Sequence, residues 1–189
     1  MILNLDSNFK PVTGSEILFN SFNFSGGEPH IKINTQFNTD ESVIITHRLN
    51  SFNNLGLLCI AVDALKRMGA TIDTLIIPYF PAARQDRVMV DGEPLTVKVY
   101  ADIINSLGFK KVVILDPHSE VTPALLNNSV IVPNHIFIKK VIEVLNKPFF
   151  LVSPDGGALK KIYKLSEFLH GIEVIECSKS SVNQRRESA

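Results

Sequence analysis

Ile76-Ile77-Pro78-Tyr79-Phe80-Pro81-Ala82-Ala83-Arg84-Gln85-Asp86-Arg87-Val88-Met89-Val90-Asp91-Gly92-Glu93-Pro94-Leu95-Thr96 runs from the end of an apolar segment to the start of a helical pattern. A loop that only joins two elements is about 4–6 residues long. This one is much longer, is stiffened by Pro78 and Pro81, and carries Arg84, Asp86, Arg87, Asp91 and Glu93 around the amide Gln85. A solvated surface loop would tolerate such alternating charge. Ordered loops of this length more often carry function.

On either side the pattern alternates between strand and helix. Thr74–Ile77 and Lys111–Leu115 are short β-branched or apolar runs. Leu95–Leu107 is helical, with Val97, Tyr100, Ala101 and Ile104 on one face and Gly108 at its end. Upstream, Val43–Thr46 reads as a strand, and Leu57, Ile60, Ala61, Ala64, Leu65 and Met68 as a helix stopped by Gly69. The first residues are β-rich, with Glu16–Phe24 and His30–Asn34 pairing as a hairpin across Ser25–Pro29. Downstream, His135–Asn146 is helical with Ile138, Val141, Ile142 and Leu145 inward. Phe149–Val152 is a strand, Ala158–Leu169 a helix and Ile172–Ile175 a last strand. Near-continuous apolar strands between helices predict an α/β fold, a mostly parallel sheet flanked by helices.

Nineteen basic and nineteen acidic residues cancel, which leaves no electrostatic footprint for nucleic acid or an anionic membrane. Cys59 and Cys177 make neither a disulfide framework nor a metal set. No apolar run approaches the ~18 residues of a membrane span, and the opening residues lack a signal-peptide pattern, so a cytoplasmic protein is expected.

Parallel sheets bind ligands beyond the carboxyl ends of their strands. Four polar clusters fall there by this reading: His47-Arg48, Tyr79–Glu93, Asp116-Pro117-His118-Ser119 and Ser153-Pro154-Asp155-Gly156-Gly157. Asp155 either caps the next helix or stands where the backbone approaches an anion. His118 is either a loop histidine or, beside Asp116, a group that holds a divalent metal. Arg84 and Arg87 are either surface charges or, in a cleft, guanidinium groups that suit polyphosphate oxygens bidentately. Neither the Walker loop nor G-x-G-x-x-G is present.

P-Y-F-P-A-A-R-Q-D-R, G-E-P-L, D-P-H and S-P-D-G-G, in that order, resemble ribose-phosphate pyrophosphokinase, from about Phe24 to about Lys179. The resemblance implies two phosphoribosyltransferase-type domains, here 1–147 and an incomplete 148–189. It implies transfer of the diphosphoryl group of magnesium-ATP to ribose 5-phosphate or a related sugar phosphate, giving phosphoribosyl pyrophosphate and AMP. It also implies a homo-oligomer. Arg84, Gln85 and Asp86 would line the ATP site, with Arg84 on the phosphates, and His118 would lie at the Mg2+ and triphosphate. Asp155 matches the acidic residue that helps hold the metal. Phe24 and Glu28 match a hairpin that reaches a neighbouring subunit's ATP site, and Lys179 a catalytic lysine on a mobile loop. Gly26 stands where the family's hairpin has an acid, and Ser181 where its mobile loop has an arginine. No counterpart of the family's Asp-Asp loop for the sugar 5-phosphate is found before Ala189. Slow ATP hydrolysis rather than transfer is therefore expected of this chain alone, as is an alternative role as a nucleotide-binding or regulatory subunit or a remnant.

Overall fold

The computed structural model describes residues 1–38, 40–145 and 147–177. Two compact units divide it, Met1–Pro133 and Asn134–Ala189.

The first unit is built on β1 (Ile2–Asn4), the hairpin β2 (Phe19–Asn23) and β3 (Pro29–Ile33), β4 (Ser42–Thr46), α1 (Phe52–Arg67), β5 (Thr71–Ile77), α2 (Thr96–Ser106), β6 (Lys111–Leu115), α3 (Val121–Leu125) and β7 (Ser129–Val132). Five strands form one parallel sheet in the order β1-β4-β5-β6-β7, and β2–β3 is a separate antiparallel pair. The expected parallel α/β sheet flanked by helices is therefore present. It gains two edge strands, β1 and β7, that the apolar runs did not announce.

Each element follows from local chemistry. Ser51 opens α1 by accepting the Asn54 amide hydrogen, and Lys66 and Arg67 sit in the last turn, where the helix dipole favours cations. Gly69, at φ 85°, lets the chain leave the helix in a left-handed conformation. The buried stripe of α1 is Leu55, Leu58, Ala61, Val62 and Leu65, while Leu57, Ile60 and Ala64 are only partly covered. In α2 the buried face is the expected one, Val97, Tyr100, Ala101 and Ile104. The hairpin leans on α1, where Gly56 leaves room for Pro29: a Cβ there would lie 3.4 Å from the proline ring.

The second unit holds α4 (His135–Leu145), β8 (Leu151–Ser153), α5 (Leu159–Phe168) and β9 (Val174–Glu176), with β8 and β9 paired in parallel. Two expectations are corrected here. No residue of α4 is buried: Val141 and Leu145 are exposed, and Ile138 and Ile142 are half-covered. A two-stranded sheet offers too little surface to bury an apolar helix face; α4 instead touches α5 through the His135 ring, 4.2 Å from that of Phe168. Second, only three of the four polar clusters share a sheet edge, because the Asp155 cluster follows β8 in its own sheet.

Candidate functional site

The loop after β5 is held by its apolar residues and positioned by its backbone. Phe80 and Ala83 are buried in the core, which fixes the chain just before Arg84. Between them Ala82 adopts a left-handed φ of 56°, and the Gln85 amide closes a turn onto the Ala82 carbonyl at 2.8 Å. The Gln85 carbonyl accepts the Val97 amide from the first turn of α2 at 3.4 Å. Further along, Glu93 receives the amides of Met89 and Val90 at 3.1 and 3.4 Å, so this carboxylate orders the loop tip.

The loop after β6 meets it. Asp116 is the second non-glycine residue of this edge with left-handed backbone, at φ 38°, and its amide is bonded to the Val132 carbonyl at 2.9 Å. Such backbone is costly for residues with a Cβ and gathers at functional sites. The Ser119 hydroxyl lies against the Asp86 carboxylate, which also pairs with Arg87 at 3.3 Å. The Asp86 side chain is only 6% exposed. The Ser119 hydroxyl, then Arg87, holds its carboxyl below the ordinary carboxylate range, against the opposing pull of desolvation.

Beside this contact a cavity of about 400 Å3 is lined by Arg84, Gln85, Arg87, Met89, Glu93 and Pro94. Arg87 and Glu93 are engaged within the loop, whereas the exposed Arg84 side chain makes no ion pair among the described residues. An unengaged guanidinium at the carboxyl edge of a parallel sheet suits an anionic oxygen ligand. His118 is exposed on the neighbouring loop.

The other expected residues are placed as follows. Phe24 and Glu28 stand at the hairpin tip, where the Phe24 amide bonds to the Glu28 carbonyl at 2.9 Å, and neither lines the Arg84 cavity. Phe24 is grouped with two rings that were not singled out, Phe22 at 5.0 Å and His30 at 5.4 Å between centroids. Their signal was the strand period: Phe22 and Phe24 share a strand face, and Phe22 pairs with His30 across the hairpin. At the vacant acidic position, a Cβ on Gly26 would lie 2.5 Å from the Glu28 carboxylate, which occupies that space instead. In the second unit, Asp155 accepts the Ala158 amide at 3.2 Å just ahead of α5. Lys179 lies outside the described residues.

His47 and Arg48 do not join the site. His47 is 2% exposed, its Nε2 bonded to the Asn54 carbonyl at 3.2 Å and its Nδ1 buried without a partner. Burial pulls its pKa below the ordinary histidine value. Arg48 is turned to the N-terminal segment, bonding the Asn8 carbonyl at 3.2 Å and lying over the Phe9 ring.

Residues 16–108 match the family model for the N-terminal domain of ribose phosphate pyrophosphokinase. Over 142 residues the chain is 37% identical to the ribose-phosphate pyrophosphokinase of Mycoplasma genitalium, covering 73% of this chain and 43% of that protein. The chain belongs to the ribose-phosphate pyrophosphokinase family. A further family member, from Thermosipho africanus, is 34% identical over 155 residues, 78% of this chain and 48% of its own. The chain thus spans about half the length of the curated relatives it matches. Its fold is that of phosphoribosylpyrophosphate synthetase from Mycobacterium smegmatis, with a TM-score of 0.74 at 24% identity over 88% of this chain and 57% of that one.

Proposed function

We propose that the first unit is the nucleotide-binding part of a ribose-phosphate diphosphokinase, serving transfer of the diphosphoryl group of ATP to ribose 5-phosphate with AMP as co-product. The observation that carries this reading is the exposed Arg84 guanidinium, which makes no ion pair among the described residues and lines a cavity beside the contact of the Asp86 loop with the Ser119 loop. In this reading Arg84 and Gln85 grip the triphosphate, Asp86 holds the two loops in register, and His118 lies at the phosphates. Phosphoryl transfer asks a protein chiefly for such positioning and charge neutralisation.

Magnesium fits the donors present as a substrate-borne ion. No group of three His, Cys, Asp or Glu side chains gathers among the described residues, and magnesium beside phosphates commonly takes only one or two protein ligands. His118 would be one such ligand, and the ion would neutralise charge on the transferring phosphates. By the family resemblance Lys179, outside the described residues, would be a catalytic cation of the second domain, 148–189. Phe24 and Glu28 would contact the adenine of a neighbouring subunit, so the working form is a homo-oligomer, and a cytoplasmic setting fits these substrates.

Calorimetric titration of the full chain with magnesium-ATP tests this. Losing a charged hydrogen bond at Arg84→Ala should weaken binding about tenfold or more. Equal affinities for wild type and variant would move the site elsewhere.

A further inference from the structure

A second cavity adjoins the first and differs from it in chemistry. It measures about 330 Å3 and lies where β4 and β5 end, between those strands and α2. Asn50, Phe52, Tyr79, Gln85, Thr96 and Tyr100 supply its character. None of the residues lining it is charged.

Phe52 and Tyr79 are 59% and 55% exposed. Phe52 also stacks on the largely buried Tyr100 ring at 4.8 Å between centroids, which fixes one wall. The side-chain amides of Asn50 and Gln85 and the Thr96 hydroxyl have no hydrogen-bond partner among the described residues. Each is available to a ligand edge. Ala82, with its left-handed backbone, is part of the same lining. Rings for stacking, amides for edge recognition and no charge describe a site for a flat, neutral, hydrogen-bonding molecule.

We propose that this cavity is a second ligand site, for an uncharged planar heterocycle of the nucleobase or nucleoside class. It takes the ring without phosphates, because phosphate would find no cation in the lining. It is separate from the nucleobase contact assigned to Phe24 and Glu28, neither of which lines it. It shares Gln85 with the Arg84 cavity, so the two sites touch through one side chain.

The test is equilibrium dialysis of the full chain with labelled adenosine, beside calorimetric titration with inorganic tripolyphosphate. Wild type should bind adenosine, and Tyr79→Ala should weaken it about tenfold, the usual scale of losing one base–ring stack. Tyr79→Phe, which keeps the ring, should restore it. Tripolyphosphate binding should survive Tyr79→Ala, which also shows that the variant is folded. Arg84→Ala should give the opposite pattern. Absence of adenosine binding by wild type, or adenosine binding unchanged by Tyr79→Ala, overturns the proposal. Tripolyphosphate binding that is absent or indifferent to Arg84→Ala instead overturns the reading of the neighbouring cavity and leaves the adenosine result standing.

Discussion

The Asp86 carboxylate lies against the Ser119 hydroxyl, joining the loop that follows Ile77 at the end of β5 to the loop that follows Leu115 at the end of β6. Ser119 Oγ also receives the Val121 amide at 3.3 Å, so one hydroxyl serves the loop and the start of α3 together.

Ser119→Ala should therefore lower affinity for magnesium-ATP a few-fold without touching a phosphate. Asp86→Asn, which keeps the shape but weakens the acceptor, should fall between that variant and wild type. Amide hydrogen exchange in residues 84–90 should quicken in Ser119→Ala. Unaltered exchange and unaltered affinity would show that the hydroxyl holds nothing.

His47 predicts a pH effect on stability. Its pKa in the folded chain is depressed by burial, so below about pH 6.5 the unfolded chain takes up a proton that the folded chain resists. The stability from neutral His47 is complete above that pH and is lost as pH falls toward the folded pKa. Thermal midpoints of wild type measured from pH 8 to pH 5 should drop more steeply than those of His47→Gln. Parallel curves would remove His47 as the cause.

The hairpin makes a prediction opposite to one drawn from the family pattern. Gly26→Asp restores the acid usual at that position, yet its Cβ would meet the Glu28 carboxylate at 2.5 Å and drive it outward. Affinity for ATP should fall a few-fold rather than rise. Gly26→Ala, which displaces Glu28 without adding charge, should fall by less. Tighter binding by Gly26→Asp would show that Glu28 does not need its present place.

Association is expected through the second unit as well as the hairpin. Val144 on α4 is 85% exposed, with Phe137, Val141 and Leu145 also uncovered along that helix and Phe150 just beyond it. A face of this kind favours self-association. Light scattering at micromolar concentration should give a mass above the 21.0 kDa of one chain, reduced by Val144→Glu. A wild-type monomer under those conditions would refute the expectation.

What the sequence disclosed depended on whether a pattern carried its own partner. The β5-loop-α2 segment was legible because a continuous apolar run and a four-residue stripe both pointed into one core. The same reasoning misread α4, since an apolar stripe reports a face and not the surface that covers it. β1 and β7 escaped because they are three and four residues long, with Val130 and Ile131 of β7 both exposed. Polarity at a strand end marks His47 as a cleft residue, because it cannot disclose a bond to a carbonyl seven positions on. The aromatic cavity was illegible for the plainest reason: Phe52, Tyr79 and Tyr100 come from three separate segments.

A carboxamide is asymmetric, with a donor at one end and an acceptor at the other, and Gln85 lines two cavities at once. Whichever end a ligand in one cavity engages sets the orientation offered to the other. Each occupant thereby chooses the polarity its neighbour meets. Thermodynamic linkage makes this choice mutual: the factor by which a neutral ring alters polyphosphate affinity must equal the factor by which polyphosphate alters affinity for the ring.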